Sequence, residues 1–517
     1  MNTGKSTGAI AAGHSATAEA AAFALREGGN AFDAVIAAHW CACVAEPALA
    51  SLGGGGFLLA RPAAGKSRVY DFFAQTPKKK RLQADIDFYP IHADFGTTQQ
   101  EFHIGYGSAA VPGTVRGLFT IHRELARLPM SVLIAPALEL ARTGVQVNEL
   151  QAFILDVVRP VYLASKAAVR CFGSQLDPQR LVQQGEILCL PDLAETLQAL
   201  AEEGDRLFYE GEVSARINAL CRDHGGQLER QDLIDYQAIT RAPLSLRYRN
   251  ATLLTNPPPS SGGLLIGFAL KLLERLDPRS TVIDSAAGLV RLAEVMRSTN
   301  EARLRAEAAN LVDERLLDPQ LLDHYLRDVV KRTRAYRGTT HISVIDAAGN
   351  VAALSTSNGE GCGHMVGNMG FMLNNMLGEQ DLCPGGFHCW QPNQRLTSMM
   401  APSLLEMPGG AAVALGSGGS NRIRSALLQT LLRMVNGNLA LEDAIERPRI
   451  HYEDRLLSIE SGFEAGVCKQ LEQEFDSIKY WPDRNLYFGG VHAVRRSGNR
   501  FECHGDSRRG GVALLVS

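Results

Sequence analysis

Apolar positions along this chain follow two different periods, and the change from one to the other divides it. Residues 14–28 are Ala-rich and the run stops at Gly28-Gly29, which predicts a helix closed by a glycine C-cap. Periodic apolar stretches near 114–127, 131–143, 191–204, 262–275 and 284–309 predict further helices. Short strands are predicted around 56–61, 243–248 and 251–255, but the first two-thirds read as mostly helical. At Gly338 the texture changes. Thr340, Ile342 and Val344 fall on one face of an extended segment, and His341, Ser343 and Ile345 on the other. Asp346 to Asn350 reads Asp-Ala-Ala-Gly-Asn, which is turn chemistry, and Val351 to Ser357 forms the return strand of a hairpin. A helix near 422–436 and strands within 487–516 complete the pattern. Helices with strand pairs at both ends of the chain predict a layered α/β sandwich, not separate domains.

Composition changes this picture little. The 517 residues are 45% hydrophobic and 21% charged, with a net charge of -3. That balance leaves no basic footprint for nucleic acid and no polybasic membrane patch. The most apolar run, Ala31 to Ala50, is broken by Asp33, His39 and Glu46, so a buried helix is predicted there. No stretch reaches the roughly 18 uncharged apolar residues of a membrane-spanning helix. The N-terminus shows no apolar segment followed by a small-residue cleavage site, and a cytoplasmic protein is expected. Ten cysteines are scattered without zinc spacing, which predicts reduced thiols.

Most motif fragments dissolve on inspection. Gly4-Lys5-Ser6 resembles the end of a phosphate loop, but only three residues precede it, so nucleotide binding is rejected. Gly53 to Gly56 could cradle an anion, but no Lys-Ser/Thr follows, and a tight structural turn is the preferred reading. The thirteen histidines lack metal-site spacing. No metal or cofactor is expected.

Gly338-Thr339-Thr340-His341 is different. Paired threonines usually mean only β-propensity. If Thr339 were an N-terminus, its own α-amine, with a pKa near 8, could act as base for its hydroxyl. Gly338 before it would ease the tight approach that an attack on the 338–339 bond needs. Gly416-Ser417-Gly418-Gly419-Ser420-Asn421, between a predicted strand and a helix, could aim backbone N–H groups at an oxyanion. Taken by itself, that segment is a flexible turn.

Together these segments resemble the gamma-glutamyltransferase family nearly end to end. The series runs from Gly28-Gly29-Asn30-Ala31-Phe32-Asp33-Ala34 through Glu46-Pro47 and the glycine run ending at Phe57 to Val111-Pro112-Gly113-Thr114-Val115. It continues with Pro257-Pro258-Pro259-Ser260-Ser261-Gly262-Gly263, Thr339-Thr340-His341 and Leu373-Asn374-Asn375. Arg395-Leu396-Thr397-Ser398-Met399, the glycine cluster at 416–420 and Gly505-Asp506-Ser507-Arg508 close it. The resemblance implies a four-layer αββα N-terminal-nucleophile fold. It implies a precursor that cuts itself into a large subunit, 1–338, and a small subunit, 339–517, which stay packed as one intertwined unit. Thr339 then takes the nucleophile role and Ser357 supports the new N-terminus. Gly418 and Gly419 supply the oxyanion hole, with a register ambiguous by one residue. Asn358, Glu379, Thr397, Ser398 and Ser420 are the substrate-binding candidates.

Departures from the family pattern bear on substrate. Phe73 stands where the family has the Arg that grips the glutamyl α-carboxylate, which removes a bidentate clamp. Met376 stands where a Gln belongs, and Glu379 where an Asp belongs. Lys78, Lys79 and Lys80 are candidate replacements for the clamp, though a lysine run is usually a solvated face. Three readings follow: a gamma-glutamyl hydrolase or transferase; a related amidohydrolase for another acyl group, such as an oxamate-type amide or a dicarboxylic acyl chain; or an inactive scaffold. The expected partners are a small-molecule amide and the two subunits of one precursor, with no nucleic acid and no membrane; homo-oligomerisation is left open.

Overall fold

The structure is a computed structural model, and it describes residues 6–94, 99–177, 179–275, 283–308, 313–318, 338–383 and 385–517. Thirteen strands build its two main sheets: β1 Gly8–Ala12, β2 Gly55–Arg61, β3 Arg68–Phe72, β4 Ile239–Arg241, β5 Leu244–Tyr248, β6 Ala251–Thr255 and β7 Thr340–Asp346. The others are β8 Val351–Ser357, β9 Ser403–Glu406, β10 Ala412–Gly418, β11 Gly490–Ser497, β12 Arg500–Gly505 and β13 Val512–Val516. One sheet has the order β13-β1-β7-β8-β2-β3-β4 and the other β12-β11-β10-β9-β6-β5. Every pairing within them is antiparallel. In the first sheet the strands β13, β7 and β8 from after residue 338 are intermixed with β1, β2, β3 and β4 from before it.

The sheets pack face to face, β7 and β8 against β10, and helices cover both outer faces. Helices α1 (Ser15–Arg26), α2 (Ala31–Ala45) and α3 (Thr114–Leu125) lie on the first sheet. Helices α4 (Gly262–Glu274), α5 (Ala286–Ala308) and α6 (Arg422–Val435) gather on the side of the second, where α4 and α6 meet its strands. This is the αββα architecture. Because β7 and β8 are covered on both faces, every residue in them is buried, and their alternation separates two cores instead of core from solvent. Among the described residues no helix is long and apolar enough to cross a membrane.

Helix α2 shows why a run with three polar residues is buried entire. Asn30 and Asp33 form a capping box at its start, and Asp33 also accepts from the backbone of Arg127 and Leu128. The Thr356 hydroxyl meets His39 Nδ1 at 3.3 Å, and Glu46, at the C-cap, accepts from Thr17 and Thr340. Asp33, His39 and Glu46 therefore each have a partner, and the helix can lie between a sheet and its neighbours with these three polar side chains satisfied.

The glycine run corrects one expectation. Gly53 to Gly56 are a turn only at their start: the Gly54 N–H closes a 51–54 turn on the Ser51 carbonyl, Gly55 and Gly56 begin β2, and none has a positive φ. A Cβ at Gly53 would lie 2.4 Å from the Met372 carbonyl oxygen, and one at Gly56 would lie 2.4 Å from that of Ser355. Close backbone packing, not chain reversal, requires glycine there.

Candidate active site

Strand β7 delivers Thr339 to the inner edge of the sandwich. The β7–β8 register pairs Thr340 with Thr356, so Thr339 comes opposite Ser357. The Ser357 hydroxyl donates to the Gly338 carbonyl oxygen at 2.5 Å and accepts from the Gly359 N–H at 3.0 Å. The Gly338 N–H donates to Glu360 Oε1 at 3.2 Å. A Cβ at Gly338 would sit 2.8 Å from the Gly359 carbonyl oxygen and 3.0 Å from that of Ala48, so the junction fits only with glycine before the threonine.

The opposite sheet closes over this junction. A Cβ at Gly418, the last residue of β10, would lie 2.3 Å from the Thr339 carbonyl oxygen, and one at Gly416 would lie 2.2 Å from the His341 ring. Two glycines at i and i+2 thus let β10 approach alternate residues of β7. The chain then turns left-handed at Gly419 (φ 120°) and Ser420 (φ 54°) before α6 begins. The backbone N–H groups of Gly419 and Ser420 have no acceptor among the described residues, while their carbonyls take the first N–H groups of α6. Donors left open at a helix start suit an anion. The open N–H groups thus lie at Gly419-Ser420, within the one-residue ambiguity of the expected Gly418-Gly419, and Gly418 also serves close approach. The Ser420 hydroxyl is buried and has no hydrogen-bond partner among the described residues.

The polar groups beneath the site are held neutral or paired. Thr17 and Thr340 donate to the buried Glu46 carboxyl at 2.7 and 2.9 Å; burial pushes its pKa up, against the pull of the two hydroxyls. The Ser343 hydroxyl donates to the His492 carbonyl oxygen at 3.1 Å, so it accepts from His341 Nε2 at 2.9 Å. His341 Nδ1 then accepts from the Ser355 hydroxyl at 2.7 Å, which defines the tautomer. Burial, with His492 nearby, holds the His341 pKa well below its usual value.

The remaining candidates fall into two groups. Asn358 and Glu379 come to the junction: a Cβ at Gly359 would lie 2.3 Å from Glu379 Oε1, and the buried Asn358 Oδ1 has no hydrogen-bond partner among the described residues. Ser398 packs against the loop that follows β6, with Thr397 beside it in sequence. The Ser398 hydroxyl accepts from the Met400 N–H, and its carbonyl accepts from Ser261 N and the Ser260 hydroxyl. Phe73 and Met376 belong to the core between the sheets, with Phe73 stacked on Phe57 at 5.3 Å. The buried Arg395 guanidinium sits over Tyr236 and pairs with Asp71. Lys78 pairs with Asp235, Lys79 with Glu229 at 2.9 Å, and Lys80 donates to the His388 carbonyl, all at the surface. Sequence reasoning missed Glu360 and Arg509, which also line the junction. No spacing marks either; only the neighbouring Gly505-Asp506-Ser507-Arg508 segment drew attention to that end of the chain. Among the described residues no His, Cys, Asp and Glu cluster could hold a metal ion.

A threonine opening an inner strand of an αββα sandwich, beneath a glycine turn of the facing sheet, defines the N-terminal-nucleophile class of hydrolase. A family model described as gamma-glutamyltranspeptidase matches residues 17–516, and the chain belongs to that family. The chain is thus an enzyme of self-processing amidohydrolase or transpeptidase type. It is 29% identical to a glutathione hydrolase proenzyme of Pseudomonas aeruginosa, over 98% of this chain and 94% of the relative. It is also 29% identical to an acylase ACY 1 proenzyme of a Pseudomonas species, over 95% and 90%. The solved cephalosporin acylase of Bacillus halodurans superposes with a TM-score of 0.85 at 21% identity, covering 99% of this chain and 96% of that one.

Proposed function

We propose that this enzyme cuts itself between Gly338 and Thr339 and then breaks amide bonds through an acyl-enzyme on Thr339. The observation that carries the reading is the 2.5 Å hydrogen bond from Ser357 to the Gly338 carbonyl oxygen, one residue from a threonine hydroxyl and beneath an open pair of N–H groups. A donor on that oxygen polarises the carbonyl for attack and stabilises the oxyanion that follows. The Thr339 hydroxyl adds to the Gly338 carbonyl carbon, the C–N bond breaks, and water hydrolyses the resulting ester. The freed α-amine of Thr339 then takes the hydroxyl proton when a substrate amide is attacked and passes it to the leaving amine. Water, or an acceptor amine in transfer, releases the acyl group.

The acyl group is the open term. Relatives named glutathione hydrolase and acylase stand at the same identity, so similarity favours neither. Phe73, seated in apolar core where the family pattern has its carboxylate-binding Arg, supports an acyl group other than an ordinarily bound γ-glutamyl. Intact-mass measurement of the purified protein should show fragments 1–338 and 339–517. Thr339→Ala should stay whole and lack amidase activity. A single full-length species with wild-type activity would sink the reading.

A further inference from the structure

Arg509 is a buried cation beside the junction, with no carboxylate in ion-pair reach among the described residues. It is 7% exposed. Nη1 donates to the Thr339 carbonyl and Nη2 to the Leu486 carbonyl, both at a long 3.4 Å, and Nε has no partner. The nearby carboxylates are committed elsewhere: Asp506 to Arg449 at 2.6 Å and to Arg508 at 3.1 Å, and Glu460 to Arg508 at 2.6 Å. Burial lowers the Arg509 pKa to about 10, which leaves it charged at neutral pH. A buried guanidinium held by two long carbonyl contacts is under-satisfied, and an anion is what it lacks.

Arg509 also lines a cavity, and the position of that cavity assigns the anion to the substrate. Its walls include the apolar side chains of Leu49, Ile154 and Val158, together with Gly338, Glu360 and Arg509. In self-cleavage the Gly338 carbonyl carbon becomes the ester carbon on Thr339, so it marks where the acyl carbon of a substrate sits later. The rest of the acyl group then extends into the space that Gly338 borders. We propose that Arg509 is the carboxylate receptor of this site, and that its substrates are amides of short aliphatic acyl groups ending in a carboxylate. This assignment rests on the Thr339-centred function above. Glu360 lies on the same cavity and repels a carboxylate, which turns that end of the acyl chain toward Arg509. Leu49, Ile154 and Val158 form the apolar wall that the methylenes between would meet. Arg509 exchanges no proton: the amide C–N bond breaks, the C–O bond to Thr339 forms, and the Thr339 hydroxyl proton passes through its α-amine to the leaving amine.

The test compares succinyl and butyryl anilides, equal in chain length and different in the terminal carboxylate. Processed wild-type enzyme should favour the succinyl compound by about 100-fold in kcat/KM, and Arg509→Met should bring that ratio to within about 10-fold. Arg509→Lys should keep part of the preference, because the charge remains while the planar fork is lost. Equal ratios in wild type and Arg509→Met, or a wild-type preference for butyryl, would overturn the proposal. Should Arg509→Met fail to fold, thermal unfolding of wild type with free succinate and with butyrate serves in its place. A larger rise in Tm with succinate supports the receptor, and equal shifts overturn it. Failure of self-cleavage and of hydrolysis of both anilides would strike at the functional reading, whereas hydrolysis without carboxylate preference strikes only at Arg509.

Discussion

The Ser357 hydroxyl and the Phe73 ring show how much a single position carries. Ser357 accepts from Gly359 and donates to Gly338, so one side chain orients both sides of the junction. Ser357→Ala should slow self-cleavage and lower kcat by roughly one to two decades, the effect of a lost orienting donor. Band intensities over time and anilide turnover would measure both; wild-type rates would make Ser357 an ordinary strand serine. Phe73 invites the opposite experiment, restoration of an Arg. Its ring is 2% exposed and packs among Phe57, Met376 and Leu396, and Asp71 nearby is already paired with Arg241 and Arg395. Phe73→Arg should therefore cost about 3–5 kcal/mol as an uncompensated buried charge and give no gain on a γ-glutamyl anilide. Denaturant titration checks the first part. A stable variant with raised γ-glutamyl turnover would show that the site can host the clamp after all.

At the scale of elements, the site is an arrangement of two strands from facing sheets. Gly416 and Gly418 of β10 lie under His341 and Thr339, and the left-handed turn that follows leads into α6. Gly418→Ala puts a methyl where the Thr339 carbonyl oxygen stands, so backbone must move. A loss of about 1–3 kcal/mol is expected, with self-cleavage slowed about 10- to 100-fold by the displaced junction. Gly466→Ala, whose Cβ would meet nothing within 4 Å, is the control and should leave cleavage unchanged. Thermal unfolding and gel analysis of both variants decide it; an unaffected Gly418→Ala would mean β10 can retreat freely. Much of this arrangement was legible in sequence. The hairpin 340–357 announced itself through its turn residues, and the strand-to-helix change around 416–422 through its glycines. Strand β1 was not legible. Gly-Ala-Ile-Ala-Ala is buried on both faces, so it shows no alternation, and its small residues carry no strand preference.

The whole molecule holds its charge state through burial. His39, His341 and His492 are fully enclosed, and burial lowers the pKa of each, to about 3 for His39 and about 4 for His492. Groups whose folded pKa lies below the unfolded value of about 6.5 stabilise the fold above that pH. Below it the unfolded chain binds protons that the folded chain refuses, so stability falls as pH falls. Three such groups together change the stability by up to about 4 kcal/mol per pH unit below 6.5. The buried carboxylate of Glu453, held at about 2 by His451 and nearby arginines, adds a second loss lower down, through the ordinary carboxylate range. The Tm should therefore be nearly flat from pH 8 to 7, fall continuously from about 6.5 to about 4, and fall more steeply below about 4.5, where Glu453 adds its own loss. A constant Tm between pH 7 and 5 would mean that the histidines protonate inside the fold.

The amino-acid sequence by itself determined the kinds of element, the hairpin that opens at Thr339, the helix stops at glycine and the order of segments that marks the family. These are local matters, decided by backbone preference and by which face of a segment is apolar. Only the tertiary structure decided what meets what. Glu46 reaches Thr340 across 294 residues of sequence, and Arg509 reaches Thr339 across 170. It also placed open N–H groups at Gly419-Ser420, set Ser398 against the loop after β6, and left Arg509 without a carboxylate in ion-pair reach among the described residues. A period states that a face is buried but not against which partner. Two sheets that each combine strands from both sides of residue 338 bring together groups whose separation in sequence carries no signal.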